Sequence, residues 1–148
     1  GRVKRLQSFI GEEPFMLTYG DGVADVDVGA LLDFHRSHGK MVSITAVHPG
    51  ARFGELVVEA DEVKSFQEKP QMGQGWINGG YFVLSPKCLD LIEGDAMPWE
   101  SVPMNALASQ NQLMAFEHRG FGQPMDTLRE KRLLDKLWSE GSAPWKIW

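Results

Sequence analysis

Apolar residues in this chain fall into short blocks whose spacing alternates between the period of a strand and that of a helix. Phe15-Met-Leu-Thr-Tyr19 is an apolar and aromatic run that stops at Gly20-Asp-Gly22, which predicts a buried strand entering a tight loop. From Asp27 onward, Val28, Leu31, Leu32 and Phe34 with His35 mark one face of a helix, with Asp27 placed to cap its start and Gly39 to stop it. Met41 to Val47 predicts a second strand, closed by His48-Pro-Gly50. Strand, helix and strand in this order are the element of a parallel sheet.

The middle of the chain changes character. Glu55 to Glu59, Val63 to Phe66 and Ile77 to Leu84 read as strands separated by turns too short for helices, which predicts antiparallel or mixed pairing. Helical patterns return at Lys87 to Ile92 and Trp99 to Ala108, with Pro86 and Pro98 where helix starts tolerate proline, and Leu113 to Glu117 predicts a further strand. Thr127 to Glu140 is the clearest helix, with Leu128, Leu133, Leu134, Leu137 and Trp138 forming an apolar face up to Gly141. The tail Ala143-Pro-Trp-Lys-Ile-Trp148 holds two of the five tryptophans, so it is expected to dock on this subunit or a neighbour. The fold class is therefore α/β, a mixed, mostly parallel sheet flanked by helices with a small antiparallel portion.

Composition narrows the function classes. With 148 residues, 43% hydrophobic and 24% charged, the chain fits a single domain over residues 1–148 with a proper core. A formal net charge of -5 removes the electrostatic basis for binding nucleic acid or an anionic membrane. Cys88 is the single cysteine, so neither an intrachain disulfide nor a cysteine metal cluster can form, which suits a reducing cytoplasm. No apolar run approaches a membrane span, and polar residues follow the basic start, so a soluble cytoplasmic protein is expected.

The candidate chemistry is carried by four segments, each with an ordinary reading beside the functional one. Asp21 in Gly20-Asp-Gly22 follows a strand at the carboxyl end of the expected sheet, where open α/β sheets place ligands; it reads as a magnesium ligand or as a plain turn residue. Asp126, before the last helix, reads as a second metal carboxylate or as that helix's cap. Glu68 and Lys69, in Phe66-Gln-Glu-Lys-Pro70, offer a hydrogen-bond acceptor and a phosphate-binding cation, or form a solvated strand end. Trp76 and Asn78 offer a ring and an amide at the mouth of an apolar strand, where Gly79 and Gly80 admit a ligand to the backbone or mark a bulge. His35 and His38 lack companions for a metal set and read as packing residues, and Cys88 reads as a small buried one.

Taken in order, Thr18-Tyr-Gly-Asp-Gly22, Arg52-Phe-Gly54, Phe66-Gln-Glu-Lys-Pro70, Trp76-Ile-Asn-Gly-Gly80, Gln123-Pro-Met-Asp-Thr127 and Ala143-Pro-Trp-Lys146 resemble the glucose-1-phosphate cytidylyltransferase family. The resemblance covers essentially the whole chain, and the forms at Trp76 and Gln123 look like the cytidylyl branch of the sugar nucleotidyltransferases. It implies a partial Rossmann-like nucleotidyltransferase fold. The implied reaction is attack of the glucose 1-phosphate oxygen on the α-phosphorus of CTP, giving CDP-glucose and pyrophosphate. By the same resemblance Asp21 and Asp126 hold magnesium (Mg2+), Lys69 contacts phosphate as the catalytic cation, and Glu68, Asn78 and Gly79 hold glucose hydroxyls with Trp76 nearby.

Members of that family open with a Gly-Gly-x-Gly-Thr-Arg loop and a following lysine, neither of which occurs in these residues. The chain is thus expected to be the C-terminal portion of a nucleotidyltransferase domain, acting as a fragment or subunit. The alternative is a catalytically inactive remnant that binds sugar phosphate or only self-associates. The family's first strand is expected beside Phe15 to Tyr19, and the edge left without it predicts a homo-oligomer that covers it.

Overall fold

The computed structural model describes residues 1–48, 55–59, 62–67 and 75–148. Eight strands and three α-helices are described in these segments. Strand β1 is Phe15–Thr18, β2 Gly22–Ala24, β3 Val42–Val47, β4 Glu55–Glu59, β5 Glu62–Gln67, β6 Ile77–Leu84, β7 Leu113–His118 and β8 Gly122–Pro124. Helix α1 is Val28–His38, α2 Val102–Ser109 and α3 Leu128–Ser139.

The central sheet has the order β1-β6-β3-β7. Strands β1 and β3 both run antiparallel to β6, and β7 runs parallel to β3. Three of its four strands therefore point the same way with β6 running against them, the mixed α/β sheet expected. The β1-α1-β3 unit is parallel in direction, as its pattern predicted, but β6 lies between its two strands. A pattern of hydrophobic periods reports elements and says nothing of a later strand inserted between them. β4 and β5 form a separate antiparallel pair, the small antiparallel portion.

Alternation along β3 divides the core. Val42 and Ile44 join Phe82, Leu84, Leu89, Trp99 and Leu107 in one buried cluster, beneath α2 and a 3-10 segment at Pro86–Leu91. Ser43 points to the opposite face and bonds His35 on α1, so the helices flank both faces of the sheet. Cys88 is fully buried, and burial pushes its thiol up to about 12, consistent with a packing role.

Local chemistry sets most boundaries as read. Asp27 caps α1 by accepting from the Ala30 amide at 2.9 Å, and Gly39 ends the helix in the left-handed region at φ 64°. Helix α2 differs: it begins at Val102, not Trp99, with Pro103 in its first turn. A helix started at Trp99 would carry Pro103 where its ring meets the carbonyl four residues back and its missing N–H breaks the ladder. Residues 86–91 are 3-10 and not α. On α3 only Leu134 is buried, while Leu128, Leu133 and Trp138 stay exposed, so much of its expected apolar face is uncovered. In the tail, Trp145 stacks on Phe121 at 5.4 Å whereas Trp148 stays exposed. No helix among the described residues is long and apolar enough to cross a membrane.

Candidate active site

Loop Gly20-Asp21 continues into a three-residue strand that the hydrophobic pattern did not announce. β2 pairs antiparallel with β8, matching Gly22 to Pro124 and Ala24 to Gly122. The pairing extends past its end, since the Met125 amide donates to the Asp21 carbonyl at 2.7 Å. This ribbon brings the loops of Asp21 and Asp126 side by side, although 105 positions separate the two residues in sequence. At the ribbon's other end, Asp25 and the half-buried His118 meet at 2.8 Å, and the Asp25 amide donates to the Phe121 carbonyl at 3.1 Å, tying the ribbon to β7.

The cap of α3 decides how Asp126 is used. Thr127, not Asp126, is the N-cap: its hydroxyl accepts from the Glu130 amide at 3.3 Å. The Glu130 carboxylate returns to accept from the Thr127 amide at 2.9 Å and the Asp126 amide at 3.0 Å, completing a capping box. The Asp126 carboxylate is therefore not consumed by the helix. Neither it nor the Asp21 carboxylate has a hydrogen-bond or ion-pair partner among the described residues.

Both aspartates line one cavity of about 680 Å³, together with Thr18, Tyr19, Asn78, Gly79, Gly80, Gln123 and Arg129. Asn78 is oriented by its surroundings, its amide Oδ1 accepting from the Gly80 N–H at 2.8 Å and its Nδ2 donating to the Tyr19 hydroxyl at 2.8 Å. One amide hydrogen and one acceptor lone pair remain for a ligand. Tyr19 packs against Phe82 at 5.6 Å and under Gly80, where an added Cβ would meet its ring at 2.9 Å. Burial first, and the neighbouring Glu100 carboxylate second, push the Tyr19 phenol well above its usual value, so it stays protonated.

Gly79 answers to packing as well as to the cavity. A Cβ there would lie 2.8 Å from Val47 Cγ1 and 3.0 Å from the Thr45 carbonyl, beside the register shift between β3 and β6. The packing reading of this glycine therefore holds, and its backbone also borders the cavity. Trp76 is placed differently from Asn78 and Gly79: it is not among the lining residues, and its ring lies 3.9 Å from that of His48 and 5.3 Å from the Arg119 guanidinium. Glu68 and Lys69, with Arg52-Phe-Gly54, lie outside the described residues. His35 and His38 sit away from the cavity and share Ser43 as a hydrogen-bond partner, the packing role expected.

Two cavity residues escaped the sequence reading. Tyr19 lay inside the Thr18-Tyr-Gly-Asp-Gly22 segment but resembled an ordinary strand-end aromatic, and Arg129 was hidden as a charged position on an amphipathic helix. The donor chemistry suits magnesium at a phosphate, which takes one or two carboxylates and completes its shell with water and phosphate oxygens. It does not suit a closed protein cage, because no group of three or more His, Cys, Asp or Glu among the described residues is placed to hold an ion.

An α/β sheet with helices on both faces and a carboxylate-lined cavity at its strand ends is the arrangement in which open α/β folds place ligands. The chain belongs to the nucleotidyl transferase family, which residues 2–127 match. It is 54% identical over 149 residues to the glucose-1-phosphate cytidylyltransferases of Salmonella typhi and Salmonella typhimurium, across 100% of this chain and 58% of each relative. It thus spans somewhat more than half their length. The fold likewise matches HddC from Yersinia pseudotuberculosis with a TM-score of 0.65 at 21% identity, over 92% of this chain and 60% of that one.

Proposed function

We propose that this single domain is the metal- and sugar-binding portion of a glucose-1-phosphate cytidylyltransferase, forming CDP-glucose and pyrophosphate from glucose 1-phosphate and CTP. The observation that carries the reading is the β2–β8 ribbon, which presents two uncommitted carboxylates to the cavity that also holds Asn78 and Gly79. In this reading Asp21 and Asp126 hold magnesium, which when bound neutralises phosphate charge. Asn78 presents its remaining donor and acceptor to glucose hydroxyls, and the bare backbone at Gly79 admits the ring. Glu68 also contacts the sugar and Lys69 a phosphate, with Trp76 flanking.

The reaction forms a bond from the sugar phosphate oxygen to the α-phosphorus of CTP as the bond to pyrophosphate breaks, so no covalent enzyme intermediate arises. Catalysis then rests on alignment and charge neutralisation. Holding CTP falls to a glycine-rich loop of the kind family members carry, which these residues do not include. We further propose a cytoplasmic homo-oligomer, supported by β1 at the sheet edge and by exposed Leu128, Trp138 and Ile147.

Pyrophosphate release from CTP and glucose 1-phosphate with magnesium tests the reading. The chain alone is expected to give none, and an added segment supplying the glycine-rich loop is expected to restore it. No restoration, together with no calorimetric binding of glucose 1-phosphate, would overturn it. A monodisperse monomer in sedimentation at high concentration would overturn the oligomer.

A further inference from the structure

Resting on the sugar-phosphate reading above, we infer that Arg129 binds the phosphate of the sugar substrate and gives the cavity its preference for the phosphorylated over the free sugar. The described lining is acidic, with Asp21, Asp126 and Glu130, and Arg129 is its one cation among the described residues. A phosphate dianion entering such a cavity meets repulsion that an opposing charge must offset.

At the start of α3 three backbone amides are already taken. Glu130 takes the Asp126 and Thr127 amides, and the Thr127 hydroxyl takes the Glu130 amide. The Leu128 and Arg129 amides have no intrahelical acceptor, and the Arg129 side chain adds a full positive charge beside those two donors. Arg129 makes no hydrogen bond or ion pair among the described residues, unlike Lys131 with Asp135, Lys136 with Glu140 and Arg119 with Glu117. The capping box fixes the first turn of α3, so Arg129 is held three positions from Asp126 on a rigid element. A planar guanidinium offers two parallel N–H groups to a phosphate, a geometry that lysine lacks.

Calorimetric titration of the full chain with glucose 1-phosphate and with glucose, both in magnesium, tests this. The wild type is expected to bind glucose 1-phosphate more tightly. Arg129→Gln should weaken glucose 1-phosphate by about tenfold while leaving glucose unchanged, and Arg129→Lys should keep part of the difference. Arg132→Gln makes the same charge change on the same helix outside the cavity lining and should keep all of it. Thermal melts report that each variant is folded, which the exposed position of Arg129 favours.

Wild-type affinity for glucose 1-phosphate in Arg129→Gln, or a loss no greater than in Arg132→Gln, would overturn the assignment. Equal wild-type binding of the two sugars would overturn it while leaving the sugar site intact. Failure of the wild type to bind either sugar would remove the sugar-phosphate reading and this inference with it.

Discussion

The central sheet and the β2–β8 ribbon are built on opposite terms. The sheet is held by side chains that have lost contact with water: Val42, Phe82, Val83 and Leu84 are each at most 1% exposed. The ribbon pairs only three residues with three, none of them buried, and depends on its ends: the Asp25–His118 contact on one side and the capping box of α3 on the other. The buried packing lies apart from the carboxylates that line the cavity. The two carboxylates that line the cavity sit at the end of a short element whose geometry is set by a few directional bonds, so stability and ligand binding should separate under mutation.

The largest effect on stability is expected in the sheet. Phe82→Ala removes a fully buried ring from the main cluster and should cost about 3–5 kcal/mol in denaturant unfolding. A loss comparable to a surface change would show that the cluster is not the stabilising centre.

Acid should act next, through the contact of α1 with β3. The Lys40 amide donates to His38 Nδ1 at 2.9 Å, leaving His38 Nε2–H to donate to Ser43 Oγ at 2.7 Å and the Ser43 hydroxyl to donate to His35 Nδ1 at 3.0 Å. This chain is complete with both rings neutral. Burial first, then the charge of His38 on His35 and of Lys40 on His38, holds both rings below their usual range. The unfolded chain then binds more protons, so this stabilisation is full above about pH 6.5 and is lost as pH falls through the lowered folded values. The melting temperature should drop between pH 7 and 5.5, with a shallower slope in His38→Asn; equal slopes in the two proteins would contradict the arrangement.

Within the ribbon the effects on stability should shrink while those on binding grow. Thr127→Ala removes the cap of α3 and should cost about 1 kcal/mol, measured by thermal melting, and should also weaken magnesium binding by loosening Asp126. Asp126→Asn, which touches no cap, should change stability by no more than about 0.5 kcal/mol yet abolish magnesium-dependent binding of glucose 1-phosphate. A large drop in melting temperature for Asp126→Asn would mean that its carboxylate supports the helix after all.

Legibility in the sequence followed the same division. Strand β3 and the second half of β6 were readable because burial on both sides writes a continuous apolar run, β1 by its apolar residues although Met16 and Thr18 stay exposed and the strand is not the buried one expected, and α1 because Asp27 and Gly39 bracket it. The ribbon was not readable: Gly22-Val-Ala and Gly122-Gln-Pro are too short to show a period, and their pairing depends on contacts about a hundred positions apart. Asp21 and Asp126 were nevertheless marked, by the segments around them and not by periodicity. The choice of Thr127 over Asp126 as cap hung on Glu130 three positions beyond Thr127, a spacing present in the sequence that shows its weight only when both hydrogen bonds are seen. The contacts of Trp76 with His48 and Arg119 were not readable either, because they join residues distant in sequence.

The pairing of Gly22 with Pro124 also sets a timetable. During synthesis β1 stays without its neighbour until β6, some sixty residues later, has emerged, and β2 waits longer still for β8. A ribosome that has released β1, α1, β3 and β6 has made a sheet with no paired aspartates. Premature termination just after β7 would leave a chain able to collapse but unable to form the β2–β8 ribbon, so loss of the paired aspartates and loss of solubility would arise at different lengths of the growing chain.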